Sequence, residues 1–217
     1  MLESQRKAPK SGKARSMVIF VHGYGADGAD LLGLADPLAP HLPDTVFYSP
    51  NAPEKCVNNP FGYQWFPIPW LDGSTEAQAK ASMAVSVDLL NAFIDAKMAE
   101  EKIAPEALAL VGFSQGTMMS LHIAPRRDVA LAGVVGFSGR LLVPETLEAE
   151  AKVKPPIMLI HGDADEMVPY ADMGRAGDAL VTAGFEVYAH TMKGTGHGIA
   201  PDGLQVALSF LHDVLPK

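Results

Sequence analysis

The sequence predicts an α/β fold, a mainly parallel sheet with helices on both faces. Three observations point there. Short β-rich runs alternate along the chain with segments of helical periodicity. Most of those runs are apolar at every position, as strands buried between two helix layers should be. The composition, 48% apolar and 19% charged over 217 residues, gives a single domain enough material for a full core.

The predicted strands are Met17–Val21, Thr45–Ser49, Ala107–Gly112, Ala132–Phe137, Ile157–Ile160 and Glu186–Thr191. Helices fall between them. Thr75 and Gln78 have capping-box spacing, and Met83, Val87, Leu90 and Ile94 recur on one helical face. Pro201 suits a first helical turn, with Leu204, Leu208, Leu211 and Leu215 behind it. A shorter helix should start near Gln115 and stop before Pro125.

Residues 1–15 carry Arg6, Lys7, Lys10, Lys13 and Arg15 against Glu3, while the whole chain is −8. They are expected to form a flexible basic tail, and 16–217 a single domain. The acidic body argues against nucleic acid as a partner, which calls for a basic footprint. The start of the chain lacks the apolar run of a signal peptide, and no later stretch has the length of a membrane span, so no stable membrane insertion is expected. The one cysteine, Cys56, suits a reducing compartment, and the expected location is cytoplasmic.

The chemistry begins at Gly112-Phe113-Ser114-Gln115-Gly116, a G-x-S-x-G match between a predicted strand and a predicted helix. A nucleophilic serine needs this spacing, because the sharp turn lifts its hydroxyl clear of the backbone and the glycines remove side chains that would clash. Gly136-Phe137-Ser138-Gly139-Arg140 lacks the second glycine, which leaves Ser138 as a loop residue near the site. A base must then follow, oriented by an acid, in the chain order Ser, Asp or Glu, His. His122 and His212 fall in predicted helices, His190 in a strand, and His161 precedes the acids. His197, in the glycine-rich turn Gly194–Gly198, remains as the base. The segment His161–Pro169 offers the acid, either Asp165 or Asp163, and Asp163 sits close enough to the strand end to serve the turn instead. His22-Gly23-Tyr24-Gly25 follows the first central strand and can supply an oxyanion donor from the Tyr24 N–H, with a second from Gln115. His22 itself is expected to brace that turn.

These segments, with Ser49-Pro50-Asn51-Ala52-Pro53, resemble the phospholipase/carboxylesterase family of α/β-hydrolases, over nearly the whole chain. The resemblance implies an α/β-hydrolase fold and a nucleophile at Ser114, an acid at Asp165 in preference to Asp163, and a base at His197. It also implies oxyanion donors at Tyr24 and Gln115, no cofactor, and homodimerisation in part of the family. No metal site is expected. Tyr24 departs from a position that is often leucine in the family.

Pro50–Gly73 breaks the strand–helix alternation with a long aromatic loop, which must pack on something. Trp65, Phe66 and Trp70 either wall a substrate-binding pocket or cap the core, since both uses draw on the same residues. The expected function is hydrolysis of small to medium carboxylic esters through an acyl-enzyme. Thioesterase or lysophospholipase activity with the same triad is the nearest alternative, and a non-catalytic binding protein on this fold is an alternative of another class.

Overall fold

The structure is a computed structural model describing residues 1–216. Its strands are β1 (Ser4–Lys7), β2 (Ser16–Val21), β3 (Thr45–Pro50), β4 (Glu54–Lys55), β5 (Tyr63–Gln64), β6 (Leu108–Phe113), β7 (Gly133–Phe137), β8 (Ile157–Gly162) and β9 (Val187–Met192). Seven of them form one sheet in the order β1-β3-β2-β6-β7-β8-β9, while β4 and β5 pair as a separate hairpin. Every neighbouring pair in the large sheet is parallel except β1 with β3.

The helices are α1 (Gly28–Leu32), α2 (Ala35–Leu38), α3 (Pro69–Asp72), α4 (Glu76–Glu101), α5 (Gln115–Ile123), α6 (Pro144–Glu150), α7 (Ala171–Thr182) and α8 (Pro201–Val214). The period of two along β2 divides its side chains between two cores. Met17, Ile19 and Val21 join residues of α4, α5 and α7 on one face. Val18 and Phe20 join residues of α1, α2 and α8 on the other. The expected doubly covered sheet is therefore present. Thr75 and Gln78 close the capping box at the start of α4, and Pro201 opens α8. Among the described residues no helix is long and apolar enough to cross a membrane.

One expectation is corrected. Residues 1–15 are not a flexible tail, because Ser4–Lys7 pairs antiparallel with β3 from Ser4 opposite Pro50 to Lys7 opposite Phe47. The edge of β3 offers unpaired backbone groups, and β1 satisfies them. Its cations meet acids of the body, Arg6 on Glu101 at 2.8 Å and Lys7 on Asp36. Further on, Ser11 N–H donates to the Pro43 carbonyl, and Arg15 lies 3.7 Å from Asp44.

The contact that positions the site is the packing of α5 on the sheet. A Cβ at Gly116 would lie 1.8 Å from the Val21 carbonyl oxygen, and one at Gly112 would lie 2.5 Å from the Thr117 nitrogen. Both obstacles are backbone and cannot rotate away. Gly116→Ala is expected to cost about 4 kcal/mol or more, read as a fall in the urea midpoint or as loss of soluble protein. A change below about 1 kcal/mol would contradict this account of the helix–sheet contact.

Candidate active site

Ser114 joins β6 to α5 at φ 54° and ψ −115°, a conformation that costs a non-glycine residue energy and persists only where its surroundings enforce it. The enforcement is visible. Ser114 N–H donates to the Phe137 carbonyl at 2.8 Å, and the Thr117 hydroxyl donates to the same oxygen at 2.7 Å. The β6–β7 edge thus clamps both sides of the turn. Gln115 is the first residue of α5, so its N–H has no acceptor within the helix.

The His22–Gly25 turn lies against this elbow, since a Cβ at Gly23 would be 3.3 Å from Ser114 Cβ. His22 is fully buried and braces the turn. Its Nε2 accepts from the Ala52 N–H at 3.0 Å, so Nδ1 carries the proton and donates to the Gly23 carbonyl at 2.7 Å. Burial lowers the pKa of this imidazole and keeps it neutral in that role. The Ser49–Pro53 segment accounts for its presence here as well. Besides the Ala52 contact, Asn51 Oδ1 accepts from the Gly28 N–H at 2.8 Å, which ties the end of β3 to the start of α1.

At the end of β8, Asp165 and His197 meet with Nδ1 2.8 Å from Oδ2. The His197 ring packs on Phe113, the neighbour of Ser114, with centroids 4.9 Å apart. A Cβ at Gly162 would lie 2.2 Å from the Thr195 carbonyl oxygen, so the loop carrying His197 seats directly on the strand carrying the acid. Asp163 does not reach His197. It accepts from the Gly194 N–H at 2.6 Å and faces Lys193 at 3.3 Å, which makes it the anchor of that loop.

The Asp165 carboxylate has three donors. Oδ1 takes the Met167 and Val168 N–H groups, each at 2.9 Å, and Oδ2 takes His197. Nε2 of His161 lies 3.2 Å from Oδ2 but bonds the Val168 carbonyl at 3.0 Å, which braces the turn that supplies those amides. Burial pushes its pKa up, but the bonds from His197 and the two amides outweigh that and hold it below the ordinary value of 3.8. A carboxyl lowered in the folded state adds stability above its unfolded pKa and gives it up as pH falls through the folded one. His161 was passed over in the sequence because it precedes the acids. Its bond to the Val168 carbonyl depends on a cross-loop contact that spacing does not encode, although its place four residues before Asp165 at a strand end is a usable signal.

The aromatic loop is held in place. Gly25 N–H donates to Tyr63 O and Tyr63 N–H to Ala26 O, both at 2.8 Å. The Gln115 side chain accepts from Trp65 N–H at 2.8 Å and donates to Phe66 O at 2.7 Å. Trp65 is 0% exposed and its indole donates to the His22 carbonyl, so it caps the core and cannot wall an open pocket. This corrects one of its two expected roles. Phe66 is half-buried, and Trp70, at 76%, is exposed. Ser138 is buried beside the elbow with its hydroxyl unpartnered, and its N–H bonds the Ile160 carbonyl at 2.8 Å.

Fold and constellation together define a serine hydrolase of the α/β-hydrolase fold acting on carboxylic esters or thioesters. The chain belongs to the phospholipase/carboxylesterase family, whose profile matches residues 4–215. It is 41% identical to a crystal structure of esterase PE8, with a TM-score of 0.93 and 99% of each chain covered. It is 30% identical to acyl-protein thioesterase 1 homolog 1 of Dictyostelium discoideum, over 92% of this chain and 91% of that protein. Esterase YpfH of Escherichia coli is 29% identical, over 94% of this chain and 85% of its own length.

The second histidine gives a test. In His161→Phe, the Val168 carbonyl loses its partner, and the turn whose amides hold Asp165 is held less firmly. Turnover of an ester should fall about 10- to 100-fold with KM little changed and the far-ultraviolet dichroism intact, and His161→Gln should recover part of the loss. Full activity in His161→Phe would show that His161 merely fills space.

Proposed function

We propose that the protein is a carboxylesterase in which Ser114 is the nucleophile, His197 the general base and Asp165 the group that orients it. The observation that carries this reading is the Asp165–His197 bond at 2.8 Å, on a loop that stacks the imidazole against Phe113 beside the strained serine. With Nδ1 committed to the carboxylate, Nε2 is the nitrogen left to take the serine proton.

Ser114 Oγ attacks the ester carbonyl as His197 takes its proton, and the carbonyl electron pair moves onto the oxygen. The N–H groups of Tyr24 and Gln115 receive that oxyanion. Collapse breaks the bond to the alcohol, which leaves with the proton held by His197. Water then attacks the acyl-enzyme, again giving its proton to His197, and the acid departs as Ser114 recovers its hydrogen. Asp165 stays ionised throughout and stabilises the imidazolium. None of these steps calls for a cofactor.

The likeness to esterase PE8 favours carboxylic esters, for which small to medium acyl groups are our reading. The relatives named acyl-protein thioesterase support a second reading, the same chemistry on acyl-protein thioesters. We assign the protein to the cytoplasm, consistent with its single cysteine, and propose that it can form the homodimer implied by the family resemblance.

Ser114→Ala should lower kcat on 4-nitrophenyl esters about 10⁴-fold or more while leaving the melting temperature within a few degrees. Near wild-type hydrolysis by that variant would overturn the assignment. An acyl series from acetate to palmitate should peak at short chains, and a peak at palmitoyl thioesters would favour the second reading.

A further inference from the structure

A chain of contacts links the proposed oxyanion turn to α7 by way of α3 and Arg140. On one side the Tyr24 hydroxyl donates to Asp72 at 3.2 Å, joining the proposed oxyanion turn to α3. Two residues earlier on α3, the Trp70 ring carries the guanidinium of Arg140, with Cζ 5.8 Å from its centroid. Arg140 in turn reaches α7, with Nε 3.2 Å from Asp172.

Arg140 is placed by the elbow itself. After β7 the chain turns at Ser138, with φ 49°, and passes Gly139, where a Cβ would lie 3.0 Å from the Ser114 carbonyl oxygen and 2.4 Å from Thr117 Cβ. Arg140 is the next residue, at the carboxyl edge of the sheet where open α/β sheets bind ligands.

Its charge is only partly answered. Asp172 also bonds Arg175 at 2.8 Å, so two guanidinium groups share one carboxylate and an excess positive charge remains. The Arg140 Nε is buried and its 3.2 Å contact with Asp172 lacks hydrogen-bond alignment, so the fork has donors to spare. Asp72, the other acid in the span, is occupied by Tyr24 and by the N–H groups of Ile68 and Ser74. Trp70 and Asp172 together restrain the guanidinium, which reduces the freedom lost on binding a planar anion.

We infer that Arg140 is a carboxylate-binding subsite, and that the preferred substrates are esters bearing a second, ionised carboxyl group, such as half-esters of dicarboxylic acids. This rests on Ser114 being the nucleophile. The anionic group can lie on the acyl or the alcohol side of the ester, and the two are told apart by probe.

The test compares mono-4-nitrophenyl glutarate with 4-nitrophenyl pentanoate for the acyl side, and 4-acetoxybenzoate with 4-acetoxybenzamide for the alcohol side. In at least one pair, the ratio of kcat/KM for the anionic over the neutral ester should fall about 10- to 100-fold in Arg140→Gln, with part of it kept in Arg140→Lys. The ratio cancels any general loss of active enzyme. Calorimetry of monoethyl succinate on Ser114→Ala, with and without Arg140→Gln, reads the subsite without turnover and should show weaker binding in the double variant. Ratios unchanged in both pairs, or equal binding by the two proteins, would overturn the inference. Failure of the wild-type protein to hydrolyse any ester would count instead against the Ser114 reading, and the calorimetric result would still decide this one.

Discussion

At position 116 there is no room for a carbon atom. The Val21 carbonyl of β2 occupies the place a side chain would take, and α5 can lie that close to the sheet only because both ends of the turn are glycine. The consequences extend outward from this contact. With α5 pressed onto β2 and β6, Ser114 is forced into its left-handed backbone and the Gln115 N–H is brought beside it. The Gln115 side chain then reaches the aromatic loop, which packs Trp65 behind His22. One steric constraint links the elbow, the His22–Gly25 turn and the loop. These glycines thus serve the shape of the site directly, where most buried positions serve stability alone.

The other half of the site depends on a carboxylate whose oxygens are fully used. Two amides on one oxygen fix the Asp165 plane, the His197 imidazole bonds the other, and His161 braces the turn through the Val168 carbonyl. Burial alone would favour the neutral acid, so the bonds decide the outcome and keep it ionised. An ionised, immobile carboxylate is what a histidine base requires, because it selects one tautomer and stabilises the imidazolium without taking the proton. Asp163, two residues away, performs a different task through the Gly194 amide, holding the loop that delivers His197. Neighbouring aspartates in one turn have thus divided orientation and anchoring between them.

Much of this was legible in the sequence because the signals were local. Most of the six parallel strands announce themselves as apolar runs, and the ends of all six fall within two residues of expectation. The start of α4 was readable from Thr75 and Gln78, since a capping box is a contact between near neighbours. Long-range facts were harder. Ser4–Lys7 is polar and half exposed, and becomes a strand only because β3 offers an edge. Trp65 could not be separated from a pocket residue, because cores and pockets choose the same side chains. His161 was set aside as a base by chain order, yet it contacts the acid across a turn. Arg140 carries no local signal, because its partners Trp70 and Asp172 are remote in the chain.

Two serines stand at adjacent strand ends, Ser114 half-buried after β6 and Ser138 buried after β7, and both have positive φ. Only Ser114 has the paired glycines, the helix amide and a histidine-bearing loop against its neighbour. The most direct measurement is labelling with a fluorophosphonate followed by peptide mass mapping. The account predicts one adduct per chain, on Ser114. An adduct on Ser138, or no adduct on catalytically active protein, would contradict it.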